Sequence, residues 1–206
     1  MNWLAHVFLS ENHIEHQLGN LLADPLKGRA WEGATKRHKR GLMIHKRIDT
    51  FTDTHPLVSQ SKASLTPRGH LKGVVLDILY DHFLSIHWDN FCTIQRESFL
   101  EDFRTHALED VSAYPPLAQN IIKRVVGNRQ LSSYAHMDGV VDAFQRIHHR
   151  LSPRAKDKDD IMRYIPFIAR ERKELEENFL TFFPQLMQAV QETCLRSDVK
   201  HWKIKQ

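Results

Sequence analysis

The sequence predicts an all-α protein, and three observations carry that prediction. Gly and Pro, eight of each in 206 residues, make up about 8% of the chain, below the roughly 12% of average usage. A sandwich or barrel of many short strands needs more turn-formers than that. Apolar positions recur at three- and four-residue spacing, most clearly at Leu71, Val74, Val75, Ile78, Leu79 and Phe83, the period of a helix face. Period-two alternation is scarce, and short apolar runs such as Val74–Leu76 fall inside helical patterns.

Each predicted helix has its own punctuation. Ser10 suits the N-cap of a segment running through Leu18, Leu21 and Leu22 and stopping near Asp24-Pro25. A second segment runs from about 34 to 54 and stops there, because Pro56 disfavours helix at His55. A third opens with Thr66 as N-cap and Pro67 at the first helical position and reaches about Trp88. Shorter helices are expected near 96–112, 115–126 and 132–151, with Gly127 at the C′ position of the middle one. A last segment, about 157–195, contains Pro166 and Pro184, each of which kinks it or divides it. With no repeat, low-complexity tract or Gly/Ser linker, residues 1–206 read as a single helical domain.

Several classes are excluded. No stretch approaches the roughly 18 apolar residues of a spanning helix, so no membrane role is expected. The opening Met-Asn-Trp-Leu-Ala-His lacks a basic n-region and a long apolar h-region, so no secretory signal is expected. Cys92 and Cys194 are far apart and outside any ligand spacing, which argues against a disulfide scaffold or structural zinc and for a reducing, cytoplasmic setting. There is no Gly-x-Ser-x-Gly, Walker-type loop or Gly-x-Gly-x-x-Gly.

The chemically informative residues are Asp, Asn and His at four-residue spacing, which places them on one helix face a turn apart. The sets are Asn2 with His6, Asn20 with Asp24, His45 with Asp49 and Asp53, and Asp77 with Asp81, beside which lies His82. The last set is embedded in Val-Val-Leu-Asp-Ile-Leu-Tyr-Asp-His-Phe-Leu. Carboxylates in apolar surroundings are costly unless their charge is compensated. A divalent cation compensates it, and an oxygen-rich set with imidazole and no thiolate favours Mg²⁺ or Mn²⁺ over Fe²⁺ or Zn²⁺. A single such pair is more often a solvated face; four sets within the first 82 residues argue for a site. Fourteen histidines are present, nine of them in the first 87 positions. Of these His13, His16, His38 and His70 lie on polar stretches and read as surface residues.

A second feature is the basic stretch 27–47. It holds Lys27, Arg29, Lys36, Arg37, Lys39, Arg40, Lys46 and Arg47 against the one acid Glu32. Such a stretch is either a solvated face or a docking patch for an acidic partner or a phosphate. The net charge of only +4 argues against nucleic acid.

The motifs resemble a known family. Met-Asn-Trp-Leu-Ala-His, then Gly19-Asn-Leu-Leu-Ala-Asp24, then Ile44-His-Lys-Arg-Ile-Asp-Thr-Phe-Thr-Asp53-Thr-His-Pro56, then Val75-Leu-Asp-Ile-Leu-Tyr-Asp-His-Phe-Leu84 with His87-Trp88 resemble, in order, the bacterial acyl carrier protein phosphodiesterases. These motifs occupy about the first 90 residues; the half from 91 onward matches in helical character and in Tyr134 and Met137-Asp138. Pro25 departs from the pattern, which has an aromatic there. The resemblance implies an all-α fold related to the HD-type phosphohydrolases, with a Mn²⁺ or Mg²⁺ site between helices. It also implies removal of 4′-phosphopantetheine from holo acyl carrier protein, leaving the apo protein with a free serine.

On that basis Asp24, His45, Asp49, Asp77 and Asp81 are expected to form the metal-binding set, as one or two sub-sites. His82 is the candidate general acid toward the serine oxygen, with His6 second. Asn20 is expected to orient a water or phosphate oxygen, and Asp53 is either an outer ligand or an N-cap. Arg37, Arg40, Lys46 and Arg47 are the docking candidates for the acidic carrier protein. Two alternatives stay open: an HD-like hydrolase of a nucleotide or other small phosphodiester, and a non-catalytic helical module that binds an acidic protein.

Overall fold

The computed structural model describes residues 1–66 and 68–204. Its elements are α-helices with short 3₁₀ and π turns, and the only β pairing among the described residues is an isolated antiparallel bridge between Cys92 and Trp202. The chain forms α1 (Trp3–Phe8), α2 (Ile14–Leu21), α3 (Lys36–Thr54), α4 (Pro56–Leu65), α5 (Lys72–Ile86), α6 (Trp88–Phe91) and α7 (Arg96–Glu109). It continues with α8 (Pro116–Ile122), α9 (Gln130–Ser133), α10 (Met137–Arg150), α11 (Pro153–Lys158) and α12 (Ile165–Gln191). Among the described residues, no helix is long and apolar enough to cross a membrane.

The apolar faces of α1, α5 and α12 meet in one core around Leu4, Phe8, Leu79, Phe83, Phe179 and Phe183, all fully buried. The apolar residues of α5 that carry the helical period point there; Val74, 40% exposed, does not. Aromatic packing ties both chain ends to this core. Phe8 makes an edge contact with Trp88 at 5.1 Å and stacks on Trp202, whose indole donates to the Phe8 carbonyl.

The tightest helix pair is α2 on α3, and two glycines permit it. A Cβ on Gly19 would come 2.2 Å from the His38 carbonyl oxygen, and one on Gly41 would come 2.3 Å from that of His16. Backbone therefore lies directly on backbone, which sets Asn20 of α2 beside His45 of α3.

Several sequence-based boundaries are corrected. Ser10 does not cap α2: His13 does, accepting from the Glu15 N–H, while Ser10 Oγ donates to the His6 carbonyl. Pro56 both ends α3 and opens an unanticipated α4, in which it sits in the first turn after His55 as N-cap. Thr66 closes α4 instead of opening α5, and Pro67 lies outside the described residues. The α5 helix starts at Lys72, its entry fixed by the buried Asp159, which accepts from the N–H groups of His70 and Leu71. Gly127 lies within a π turn, and the left-handed residue that follows is Arg129. The segment 132–151 breaks into α9 and α10, and Pro166 lies in the first turn of α12 while Pro184 stays inside that helix without dividing it. His16 and His38 are buried and not on the surface.

Candidate active site

Four helices and one turn deliver the site. The helix α1 brings His6 in its last turn, α2 brings Asn20, and the turn after α2 carries Asp24. The α3 helix presents His45 and Asp49 one turn apart, and α5 brings Asp77. The entry of α1 is pinned from a distance. Its N-cap Asn2 makes no side-chain cap, and the carboxylate of Asp81, fully buried on α5, accepts from the N–H groups of Leu4 at 2.9 Å and Ala5 at 3.0 Å. Those are orphan donors of the first turn. Burial raises the Asp81 carboxyl to about 7, against the pull of the two N–H groups.

The imidazoles of His6 and His45 stack with centroids 4.0 Å apart and planes 17° from parallel. Both turn Nδ1 toward one atom, Asn20 Oδ1, at 2.8 Å and 3.2 Å. Asn20 is fully buried, and its amide nitrogen donates to the His6 carbonyl and to Ser10 Oγ. That assignment makes Oδ1 an acceptor, so each histidine carries a hydrogen on Nδ1 and turns Nε2 outward.

Both Nε2 atoms face oxygen. His6 Nε2 lies 3.3 Å from Asp49 Oδ1 and 3.1 Å from the Met1 carbonyl. His45 Nε2 lies 3.0 Å from Asp49 Oδ2 and 3.0 Å from Asp24 Oδ1. An Nε2 facing these oxygens needs a proton or a metal cation between them. Burial opposes protonation of His45, but its bonds to Asp24 and Asp49 prevail and raise it to about 9. Burial dominates at His6, whose pKa is lowered. Asp49 is held below its ordinary range by the two histidines despite its own burial. The Met1 α-ammonium adds charge, 3.2 Å from Asp77 Oδ1 and 3.5 Å from Asp49 Oδ1.

One ligand atom from each of His6, His45 and Asp49 lies within 4.8 Å of the others. These three could hold a divalent cation, with the exposed Asp24 beside His45. The Nδ1–H bonds to Asn20 are the kind of outer partner that orients imidazole ligands. His6 thus joins the group as a ligand candidate, a role the sequence did not assign it. Asp77 lines the same cleft, but Asp81 is engaged with the α1 backbone and lies outside the group.

The remaining candidates are placed as follows. His82 points away from the cleft: its Nδ1 donates to the Tyr134 carbonyl at 2.8 Å, and its buried Nε2 has no partner among the described residues. Asn20 has every polar atom engaged internally and does not face the cleft as a water-orienting group. Asp53 is exposed and bonds Lys62, while the N-cap of α4 is His55. Arg40 pairs with the buried Glu11, and Arg47 donates to the Ala189 carbonyl and to Glu192, clamping α3 to the end of α12. Arg37 is half-buried and Lys46 exposed, and neither forms an ion pair among the described residues. Lys46 flanks an open groove that it shares with Asp24, His45 and Asp49.

Above His6 and His45 opens a cleft of about 240 Å³. Tyr134, Arg146 and Arg150, which the sequence did not single out as site residues, also line it. The one signal for the arginines is their four-residue spacing on α10, a pattern scored for acids and histidines and not for cations.

Comparison with known proteins agrees with the motif resemblance. The family model described as acyl carrier protein phosphodiesterase matches residues 1–186. A protein of that name from Yersinia pestis is 31% identical over 196 residues, covering 93% of this chain and 98% of its own. One from Yersinia enterocolitica is 31% identical over 200 residues, covering 93% and 98%. One from Escherichia coli is 28% identical over 200 residues, covering 95% and 100%. No solved structure gives a significant match.

Proposed function

Because this chain belongs to the acyl carrier protein phosphodiesterase family, we propose that it hydrolyses the phosphodiester of holo acyl carrier protein. The products are 4′-phosphopantetheine and the apo protein with a free serine. The observation that carries this is the convergence of His6, His45 and Asp49 within 4.8 Å, with His6 and His45 lining an open cleft. We further propose that these residues, with Asp24, hold a divalent cation of the Mn²⁺ or Mg²⁺ type. Bound there, such a cation withdraws charge from the phosphoryl oxygens and lowers the pKa of a water.

The protein's own residues supply the rest. Asn20 holds both imidazoles by Nδ1–H, so their Nε2 atoms are aimed before substrate arrives. Asp81 keeps α1, and with it His6, in register with α5. Asp24 and Asp77, which line the cleft, are the candidates to accept a proton from an attacking water. The exposed Lys46 beside the groove favours an acidic protein substrate by charge.

Incubation with holo carrier protein, followed by intact mass measurement, tests this. Wild type plus Mn²⁺ releases the prosthetic group; a chelator or Asp49→Asn lowers the rate at least about a hundredfold. Cleavage of a nucleotide panel with an untouched carrier protein overturns the substrate, and full activity in chelator overturns the metal. A protein that cleaves nothing and whose stability ignores Mn²⁺ is a binding module instead.

A further inference from the structure

We propose that Tyr134 and Arg146 form an anion subsite in the cleft that His6 and His45 also line, and that it binds the phosphoryl oxygens of the substrate. This rests on the phosphodiesterase function proposed above.

Tyr134 carries the first half. Its ring is 99% buried in relative terms, at 1% exposure, yet it lines the cleft. Its hydroxyl oxygen accepts from Asn2 Nδ2 at 3.0 Å and from Gln130 Nε2 at 3.2 Å. Two accepted bonds fill both lone pairs, so the O–H hydrogen has to point elsewhere. No acceptor takes it among the described residues. A buried hydroxyl held by two donors with its own proton free is a donor prepared for a ligand oxygen.

Arg146 carries the second. It lies on α10, lines the same cleft, and its guanidinium makes no ion pair or hydrogen bond among the described residues. Other arginines are paired, as Arg40 is with Glu11, Arg96 with Glu97 and Arg104 with Glu101, whereas the exposed Arg146 keeps its guanidinium free beside the cleft. Arg150, one turn on, is partly committed, its Nε donating to the Arg146 carbonyl. One cleft therefore holds both kinds of group. Asp24, Asp77 and the imidazoles of His6 and His45 suit a cation; the free hydroxyl proton of Tyr134 and the free guanidinium of Arg146 suit an anion. A phosphoryl group bound by Tyr134 and Arg146 is oriented as well as held.

Calorimetric titration of the purified protein with 4′-phosphopantetheine, inorganic phosphate and phosphate-free pantetheine tests the subsite, alongside KM for holo carrier protein. Arg146→Gln should weaken 4′-phosphopantetheine about tenfold, the worth of one charge-assisted contact, and Tyr134→Phe about threefold, with pantetheine unchanged in both. Arg146→Lys, which keeps the charge, should recover part of the loss and guards against a folding artefact. Equal affinity of wild type and Arg146→Gln for 4′-phosphopantetheine, or wild-type binding no tighter than for pantetheine, overturns the subsite. If the carrier protein is not cleaved but phosphate binding still follows Arg146, the subsite stands and the substrate assignment falls. If cleavage occurs with an unchanged KM in Arg146→Gln, the subsite alone falls.

Discussion

His6 and His45, 39 positions apart on α1 and α3, share a single hydrogen-bond acceptor, Asn20 Oδ1. One buried amide oxygen thereby fixes the orientation of both rings, and its loss frees both Nε2 atoms to turn away from Asp49. Asn20→Ala should lower Mn²⁺ affinity about 10- to 100-fold, the usual cost of losing an outer-sphere partner. Calorimetry measures the affinity, and far-UV circular dichroism checks that the helices remain. Unchanged affinity would show that the rings are aimed without Asn20.

The glycine contact between α2 and α3 underlies that geometry. Gly41→Ala puts a methyl group 2.3 Å from the His16 carbonyl oxygen, against backbone that cannot swing aside. The helices must separate, at a cost of about 3 kcal/mol, and Asn20 moves off His45. Urea denaturation reads the stability and the mass-shift assay the activity; both should fall. Gly73→Ala is the control, because the nearest atom there is the flexible end of Lys62 at 3.9 Å.

Arg40 and Lys46 should separate stability from docking. Glu11 is 1% exposed, so Arg40→Met leaves its charge buried without its partner, costing about 2 kcal/mol. The full cost of a wholly buried pair is not reached, because the Arg40 side chain is 39% exposed. Lys46→Glu breaks no ion pair among the described residues and should leave the melting temperature unchanged while raising KM for holo carrier protein at low salt. A KM change in Arg40→Met without a stability change would restore Arg40 to the docking patch.

Acid should destabilise the fold through His201. Burial against Phe8 and Phe99 lowers this imidazole to about 4, and neither ring nitrogen has a partner among the described residues. The unfolded chain binds the proton near pH 6.5 and the folded chain does not. The stability from keeping His201 neutral is thus complete above pH 6.5 and is lost as pH falls toward 4, by at most about 3 kcal/mol. His201→Phe should flatten this slope, measured as urea midpoints at pH 7.5 and pH 5. His16, also lowered to about 4 by burial, has the same sign, so some slope remains. An identical slope in the variant would place the acid sensitivity elsewhere.

The sequence by itself determined the all-α class, the extents of α3 and most of α5, and the residue types that carry the chemistry. Helical period and proline position are local properties, and four-residue spacing puts two side chains on one face whatever they meet. What they meet is decided by packing. Asp49 and Asp81 occupy equivalent places in their motifs, yet the face of α3 bearing Asp49 turns to two imidazoles, while the face of α5 bearing Asp81 turns to the bare N–H groups of α1. His82, one residue further round α5, points to another carbonyl altogether. In the basic stretch, Arg40 and Arg47 became struts because Glu11 and the end of α12 arrive from distant sequence. Tyr134 and Arg146 join the site only because the α9–α10 region folds over it. The sequence named the residue types, and the tertiary structure chose which copies of them converge, because convergence depends on distances of a few ångströms between segments that no local spacing encodes.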